Sequence, residues 1–152
     1  MRKRPVLANS CAAAATAAEA RFRIDRAIEE TRRTTVIALD QAAERITAGA
    51  AGAASERVSF VTAAEAVDPP PGSSALEGSD LVILVATSEM DPAVASAARR
   101  LCEPARIPTF ALVVGAPLER AIAVSALRDQ TAMLLASETP SDLADILSDL
   151  RA

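Results

Sequence analysis

The stretch LVILVAT, residues 81–87, decides the fold of this chain. It is continuously apolar and rich in β-branched side chains, which is typical of a strand whose sheet is covered on both faces. Asp91 and Pro92 follow it closely, and these residue types are favoured at the cap and first position of a helix. A buried strand that leads directly into a helix indicates a parallel α/β sheet.

The same alternation extends in both directions along the chain. Apolar, β-branched segments predict further strands at 34–40, 57–62, 109–114 and 132–136, while helical spacing of apolar residues predicts helices at 10–32, 41–54, 92–102, 118–125 and 139–150. Right-handed crossovers then place helices on both faces of the sheet. The predicted fold is a three-layer α/β sandwich with a mostly parallel, doubly wound sheet.

Length and composition indicate one folded domain. The chain has 152 residues, of which 51% are hydrophobic, and this is enough to bury a core in a single unit covering 1–152. Residues 67–79 are rich in proline, glycine and serine, so they are predicted to form a connector within that domain.

Charge and residue types restrict the chemistry. The chain carries a net charge of −4 and contains no histidine, so we expect no nucleic-acid binding, no metal, no catalytic residue and no cofactor. Cys11 and Cys102 have no metal-ligand spacing and indicate buried thiols in a reducing compartment. A pKa raised by the helix C-terminus is expected at Cys102.

No apolar run approaches the ~20 residues of a membrane helix, and Asn9 and Ser10 interrupt the weakly apolar segment that follows the basic residues 2–4. We therefore expect a cytoplasmic protein that neither spans a membrane nor is secreted.

Topology selects the candidate ligand-binding residues. Ligands of parallel α/β folds bind at the carboxyl ends of the strands. The residues expected there are Asn9, Ser10, Asp40, Thr87, Ser88 and Gly115.

Each candidate has a simpler structural interpretation. Asp40 could accept a hydrogen bond from a ribose hydroxyl or cap the following helix. The segment 87–91 could bind a phosphate at a helix N-terminus, although Glu89 and Asp91 would oppose an anion and Asp91 could be a helix cap. Gly115 could contact a ligand or form a solvated turn.

The chain resembles the nucleotide-binding half of the bacterial tubulin-like cell-division GTPases. Thr35-Val-Ile-Ala-Leu-Asp-Gln-Ala42 is similar to the second strand of that family, and Ala75-Leu-Glu-Gly-Ser-Asp-Leu-Val-Ile-Leu-Val-Ala86 is similar to the approach to its signature loop. The resemblance implies a Rossmann-like domain with a first strand ahead of Ser10. It also places the phosphate loops of the family at residues 8–15 and 87–92.

The glycines that such phosphate loops need are missing here. Alanines occupy much of 8–15, and 87–92 holds two acids and no glycine, so GTP should bind poorly. The resemblance therefore implies a degenerate relative without GTP hydrolysis, in which nucleotide binding is disfavoured.

Two functions follow as hypotheses. The first is a non-catalytic protein-interaction or regulatory module with a protein partner or a second copy of itself. The alternative is an enzyme or sensor for a nucleotide or a phosphosugar, the latter because Val85-Ala-Thr-Ser88 resembles the loop of sugar-isomerase-type phosphosugar-binding domains.

Overall fold

The computed structural model of the protein describes residues 32–72 and 74–150. The strands are β1 (Thr34–Ala38), β2 (Val58–Thr62), β3 (Leu81–Ala86), β4 (Thr109–Val114) and β5 (Met133–Ser137). The helices are α1 (Gln41–Ala50), α2 (Ala63–Val67), α3 (Pro92–Ala105), α4 (Ala121–Arg128) and α5 (Asp142–Asp149), with a single 3₁₀ turn at Ala51–Ala53.

The five strands form one sheet in the order β2-β1-β3-β4-β5. All four strand pairs are parallel. This is the flavodoxin-like order, in which the chain first winds toward one edge of the sheet and then, after β2, toward the other. The predicted parallel, doubly wound α/β sheet is thus confirmed.

Two apolar clusters cover the two faces of the sheet. On one face, side chains such as Ile37 and Leu84 pack against α2, α3 and α4. On the other face, side chains such as Ile83 and Leu112 pack against α1 and α5. β3 is continuously apolar, and β1 is apolar after its two initial threonines, because alternate residues point into different clusters.

Several predicted element boundaries need correction. Helix α3 does not end at Cys102 but continues through Pro104 to Ala105, because a proline in the last turn forfeits only one hydrogen bond. Arg106 then closes the helix in the left-handed conformation with φ 53°.

The predictions around α4 and α5 are also shifted. Helix α4 begins at Ala121, so Leu118 lies in the preceding turn and not on a helix face. Helix α5 begins at Asp142, and Thr139 contributes its backbone carbonyl to the Asp142 N–H, not a side-chain cap.

The connector predicted at 67–79 is preceded by a helix that the sequence analysis missed. Thr62 and Glu65 form a capping box, in which the Thr62 hydroxyl accepts from the Glu65 N–H at 3.2 Å and the Glu65 carboxylate accepts from the Thr62 N–H at 2.7 Å. The Thr62 N–H and, less strongly, the Thr62 hydroxyl at 3.0 Å donate to the Glu65 carboxylate and lower its pKa. The box begins the five-residue α2.

The predicted helix at 10–32 and the candidate residues Asn9 and Ser10 lie outside the described residues, apart from Arg32, which is not helical. Among the residues that the structure describes, no helix is long and apolar enough to cross a membrane.

Candidate functional site

Asp40 and Thr87 meet at the carboxyl edge of the sheet because β1 and β3 are neighbours. Asp40 lies two residues beyond β1, and Thr87 follows β3 directly. The register pairs Ala38 with Val85, which brings the two strand ends level with each other. The Leu39 N–H donates to the Val85 carbonyl at 2.9 Å and extends the pairing to the edge.

Both oxygens of the Asp40 carboxylate accept hydrogen bonds from the protein. Oδ1 accepts from the Ala43 N–H at 2.8 Å and from the Thr87 hydroxyl at 2.9 Å. Oδ2 accepts from the Thr87 N–H at 2.7 Å. Asp40 therefore caps α1 and joins β1 to β3 at once, and the helix-cap interpretation of this residue is confirmed.

Thr87 is a structural residue in this arrangement. Its side chain is buried, and its hydroxyl accepts from the Glu89 N–H at 3.2 Å while it donates to Asp40. Ser88, the next candidate, is exposed. Of these two candidates, Thr87 is the one that contacts Asp40, whereas Ser88 faces solvent.

Asp91 caps the helix that follows. Its Oδ1 accepts from the Ala93 N–H at 2.8 Å, and Pro92 occupies the first turn of α3. The carboxylate itself therefore occupies the place at which an anion would bind to the end of this helix.

Gly115 closes the end of β4. Its φ of 148° lies in a region that side chains rarely adopt. Its N–H donates to the Ser137 carbonyl at 2.9 Å, and its carbonyl accepts from Arg120 Nη1 at 2.9 Å. Gly115 is therefore the turn residue that fixes the loop into α4, while Asp40 and Thr87 lie at the neighbouring strand ends.

Ser137 closes the end of β5 in a similar way. The side chain is buried, its hydroxyl donates to the Asp142 carboxylate, and it accepts from the Thr139 N–H at 2.9 Å. Sequence reasoning did not select Ser137 or Arg120. A hydroxyl directly after the strand predicted at 132–136 was the available signal for Ser137, whereas the contact of Arg120 depends on the loop conformation.

The described residues contain no group of three or more histidine, cysteine, aspartate or glutamate side chains that could hold a metal ion. Hydrogen bonds join the end of β1 to the end of β3 through Asp40 and Thr87, and the end of β4 to the end of β5 through Gly115 and Ser137.

Cys102 is a buried thiol on α3. Its side chain is 2% exposed, and burial raises its pKa, with a smaller opposing effect from a hydrogen bond to Thr109. The raised pKa agrees with the sequence-based expectation, but burial and not the helix C-terminus is its main cause.

We expect Cys102 to remain unmodified by iodoacetamide in the native Cys11→Ser variant and to react once urea unfolds the chain.

Because the pKa of Cys102 is raised in the folded state, the thiol loses its proton at lower pH in the unfolded chain, and the free energy of unfolding should fall as pH rises above about 8.5. The chain has no histidine and no tyrosine to mask the effect. In urea titrations at alkaline pH, the free energy of unfolding of the Cys102→Ala variant should fall less than that of the parent protein. An equal fall would contradict the raised pKa of Cys102.

Comparison with known proteins gives a limited result. No family model matches the sequence, and no curated protein matches it. Two solved structures are similar in fold. The phosphorylated cyanobacterial phytochrome response regulator RcpA has 15% sequence identity and a TM-score of 0.49, with 78% of this chain and 91% of that chain covered. The pilus assembly protein CpaE from Burkholderia thailandensis has 19% identity and a TM-score of 0.45, with 77% and 95% covered.

The resemblance to tubulin-like GTPases is wrong. The similar solved structures are a response regulator and a pilus assembly protein, and neither is a GTPase of that family. In the classic Rossmann order 3-2-1-4-5-6, a first strand ahead of Ser10 would lie between β1 and β3. These two strands are instead paired directly from Thr34↔Leu81 to Ala38↔Val85, so no strand fits between them.

The function inferred from that resemblance is corrected with it. The chain is not a degenerate tubulin-like GTPase domain, and the alternative of a nucleotide or phosphosugar site is not favoured. At the described strand ends, Asp40 and Thr87 bond to each other instead of facing an open site.

Proposed function

We propose that the chain is a regulatory module with a flavodoxin-like fold that acts through protein contact and not through chemistry at its carboxyl edge. The observation that carries the proposal is the state of Asp40. The carboxylate oxygens already accept three hydrogen bonds from Thr87 and Ala43, so a ligand or a phosphoryl group at this carboxylate would compete with structural contacts.

The ends of β4 and β5 support the same interpretation. Arg120 donates to the Gly115 carbonyl and Ser137 donates to Asp142, so these polar groups are engaged within the protein. Breaking such charge-assisted hydrogen bonds costs about 1.5–3 kcal/mol each. This cost favours a rigid edge over a ligand-binding one.

An exposed apolar surface supplies the means of contact. Leu118 is 92% exposed and Ile122 is 73% exposed, and we refer to these two side chains as the Leu118 surface. Leu118 lies in the turn before α4 and Ile122 in the first turn of that helix, and large apolar side chains on such a fixed backbone are suited to fill a pocket in a partner, since little freedom is lost on binding. The Arg120–Gly115 hydrogen bond holds this loop in place.

One of the similar solved structures is a phosphorylated response regulator, and the signalling role it names is the function class that we propose for this chain. The proposal rests on the geometry of Asp40 and of the Leu118 surface. As parts of the same proposal, the partner is a protein, the chain acts in the cytoplasm, and residues 1–152 form a single domain.

Site-specific photo-crosslinking tests the contact. A photoreactive residue placed at Leu118 in the full chain should give one discrete protein adduct in the source cells, whereas the same residue at the exposed Glu89 should not. Mass spectrometry identifies the crosslinked protein and shows whether it is a second copy of this chain.

Binding of the purified partner completes the test. Leu118→Asp should weaken binding by at least about tenfold, because a charge would be buried in an apolar contact. Glu89→Gln should leave the affinity unchanged. Equal adducts at both positions, or unaltered binding by the Leu118 variant, would overturn the proposal.

A further inference from the structure

The edge strand β5 and the helix α5 carry a second exposed apolar surface. Met133 is 65%, Leu135 42% and Leu150 37% exposed, and Ile146 is half-buried. We refer to these four residues as the β5–α5 face. Met133 and Leu135 pair with Phe110 and Leu112, which belong to the cluster beneath α5, so they lie on the same side of the sheet as that helix.

The α5 side of the β5–α5 face carries negative charge. Asp142, Asp145 and Asp149 are spaced three and four residues apart, so they form one stripe along α5 beside Ile146 and Leu150. Neither β5 nor α5 contains a basic residue. The chemistry of this face therefore suits an occupant that is apolar in the middle and basic at its sides.

The chain itself contains such a segment. Residues 1–31 hold six basic and four acidic residues, whereas 32–152 hold ten basic and sixteen acidic residues. Within 10–31 the apolar residues recur at helical spacing and are Ala17, Ala20, Ile24, Ala27 and Ile28. On a helical projection Arg21 and Arg23 flank this apolar stripe.

The segment joins the sheet at a point from which it can reach the face. Thr34 begins β1 and Met133 begins β5, so both lie at the amino edge of the parallel sheet. Three strand spacings separate β1 from β5, which is about 14 Å. A helix of 20 residues is about 30 Å long, and a few extended residues at about 3.3 Å each cover the crossing.

We propose that residues 10–31 pack their apolar stripe on the β5–α5 face, with Arg21 and Arg23 next to the aspartates of α5. A second copy of the chain is a poorer occupant. A two-fold contact through this face would bring the aspartate stripes of both copies into one interface, to which β5 and α5 contribute no basic residue, and like charges repel.

This proposal goes beyond the proposed function and concerns a different surface. Its test uses the full chain with a photoreactive residue at Leu135, in a mixture of ¹⁵N-labelled and unlabelled protein. Proteolysis and mass spectrometry should find crosslinks from position 135 to peptides of 10–31. The two peptides of each crosslink should carry the same isotope, because the contact is within one molecule. The same residue at Ile122 should give none of these crosslinks.

Amide exchange supplies the second measurement. Ile24→Asp should speed exchange of residues 133–137 by at least about tenfold, because a carboxylate cannot be buried on the apolar face. Ala18→Asp adds the same charge to the same segment off the apolar stripe and should leave the exchange rates unchanged. Crosslinks between isotopes, no crosslink to 10–31, or equal effects of the two variants would overturn the proposal.

Discussion

Replacing Asp40 by alanine is expected to lower the free energy of unfolding by about 3 kcal/mol. The variant loses the cap of α1 and both hydrogen bonds from Thr87. It also leaves the buried hydroxyl and N–H of Thr87 without this acceptor, and an unsatisfied buried donor is costly. Urea unfolding followed by circular dichroism measures the change from the midpoint at constant m-value.

Asp91→Ala is the matched control for this prediction. Asp91 also caps a helix that follows a strand, and its carboxylate accepts from the Ala93 N–H. Its loss should cost about 1 kcal/mol, typical of a helix cap. The difference between the two variants isolates the bridge from Asp40 to Thr87, and equal costs would contradict the role given to that bridge.

Leu84→Ala is expected to destabilise the protein by about 2–5 kcal/mol. Leu84 is 0% exposed in the central strand β3 and packs in the cluster beneath α2, α3 and α4. Truncation removes apolar contacts and leaves a cavity that a sheet paired on both sides cannot close. Such a loss is a large fraction of the about 5–15 kcal/mol that stabilises a domain.

Leu118→Ala makes the same chemical change on the surface. Leu118 is 92% exposed, so its truncation should alter the free energy of unfolding by no more than about 0.5 kcal/mol. Thermal or urea unfolding of the two variants side by side gives the comparison. A cost for Leu84→Ala below that of Leu118→Ala would contradict the placement of β3 at the centre of the core.

The strands were predictable because their apolar composition reflects a local requirement. β1 and β3 are buried in the middle of the sheet, and their Val, Ile, Leu and Ala side chains contribute alternately to the two clusters. The cap at Asp91 was predictable for a similar reason, since the cap, Pro92 and the first turn are adjacent in sequence.

The order of the strands could not be obtained from the same pattern. Any of the predicted apolar strands could lie beside any other, because an apolar sequence does not specify which strand it pairs with. The direct pairing of β1 with β3 is a tertiary choice, and it is this choice that contradicts the tubulin-like resemblance.

The site shows the same division between local and tertiary information. The cap formed by Asp40 involves a residue three positions away and was one of the two interpretations considered. Its bridge to Thr87 spans 47 positions and exists only because β1 and β3 are neighbours. The exposure of Leu118 depended on where α4 begins, a boundary that helical spacing alone does not fix.

Incubation with a phosphoryl donor most directly tests the claim that Asp40 and Thr87 at the carboxyl edge of the sheet have a structural role. The purified full chain is incubated with acetyl phosphate and Mg²⁺, and intact-mass spectrometry is combined with amide exchange over residues 40–43 and 87–89. If the Asp40 carboxylate is committed to Thr87 and Ala43, both the mass and the exchange rates remain unchanged. A mass gain of one phosphoryl group, mapped to Asp40 or Thr87, would contradict the claim that this edge serves structure and not chemistry.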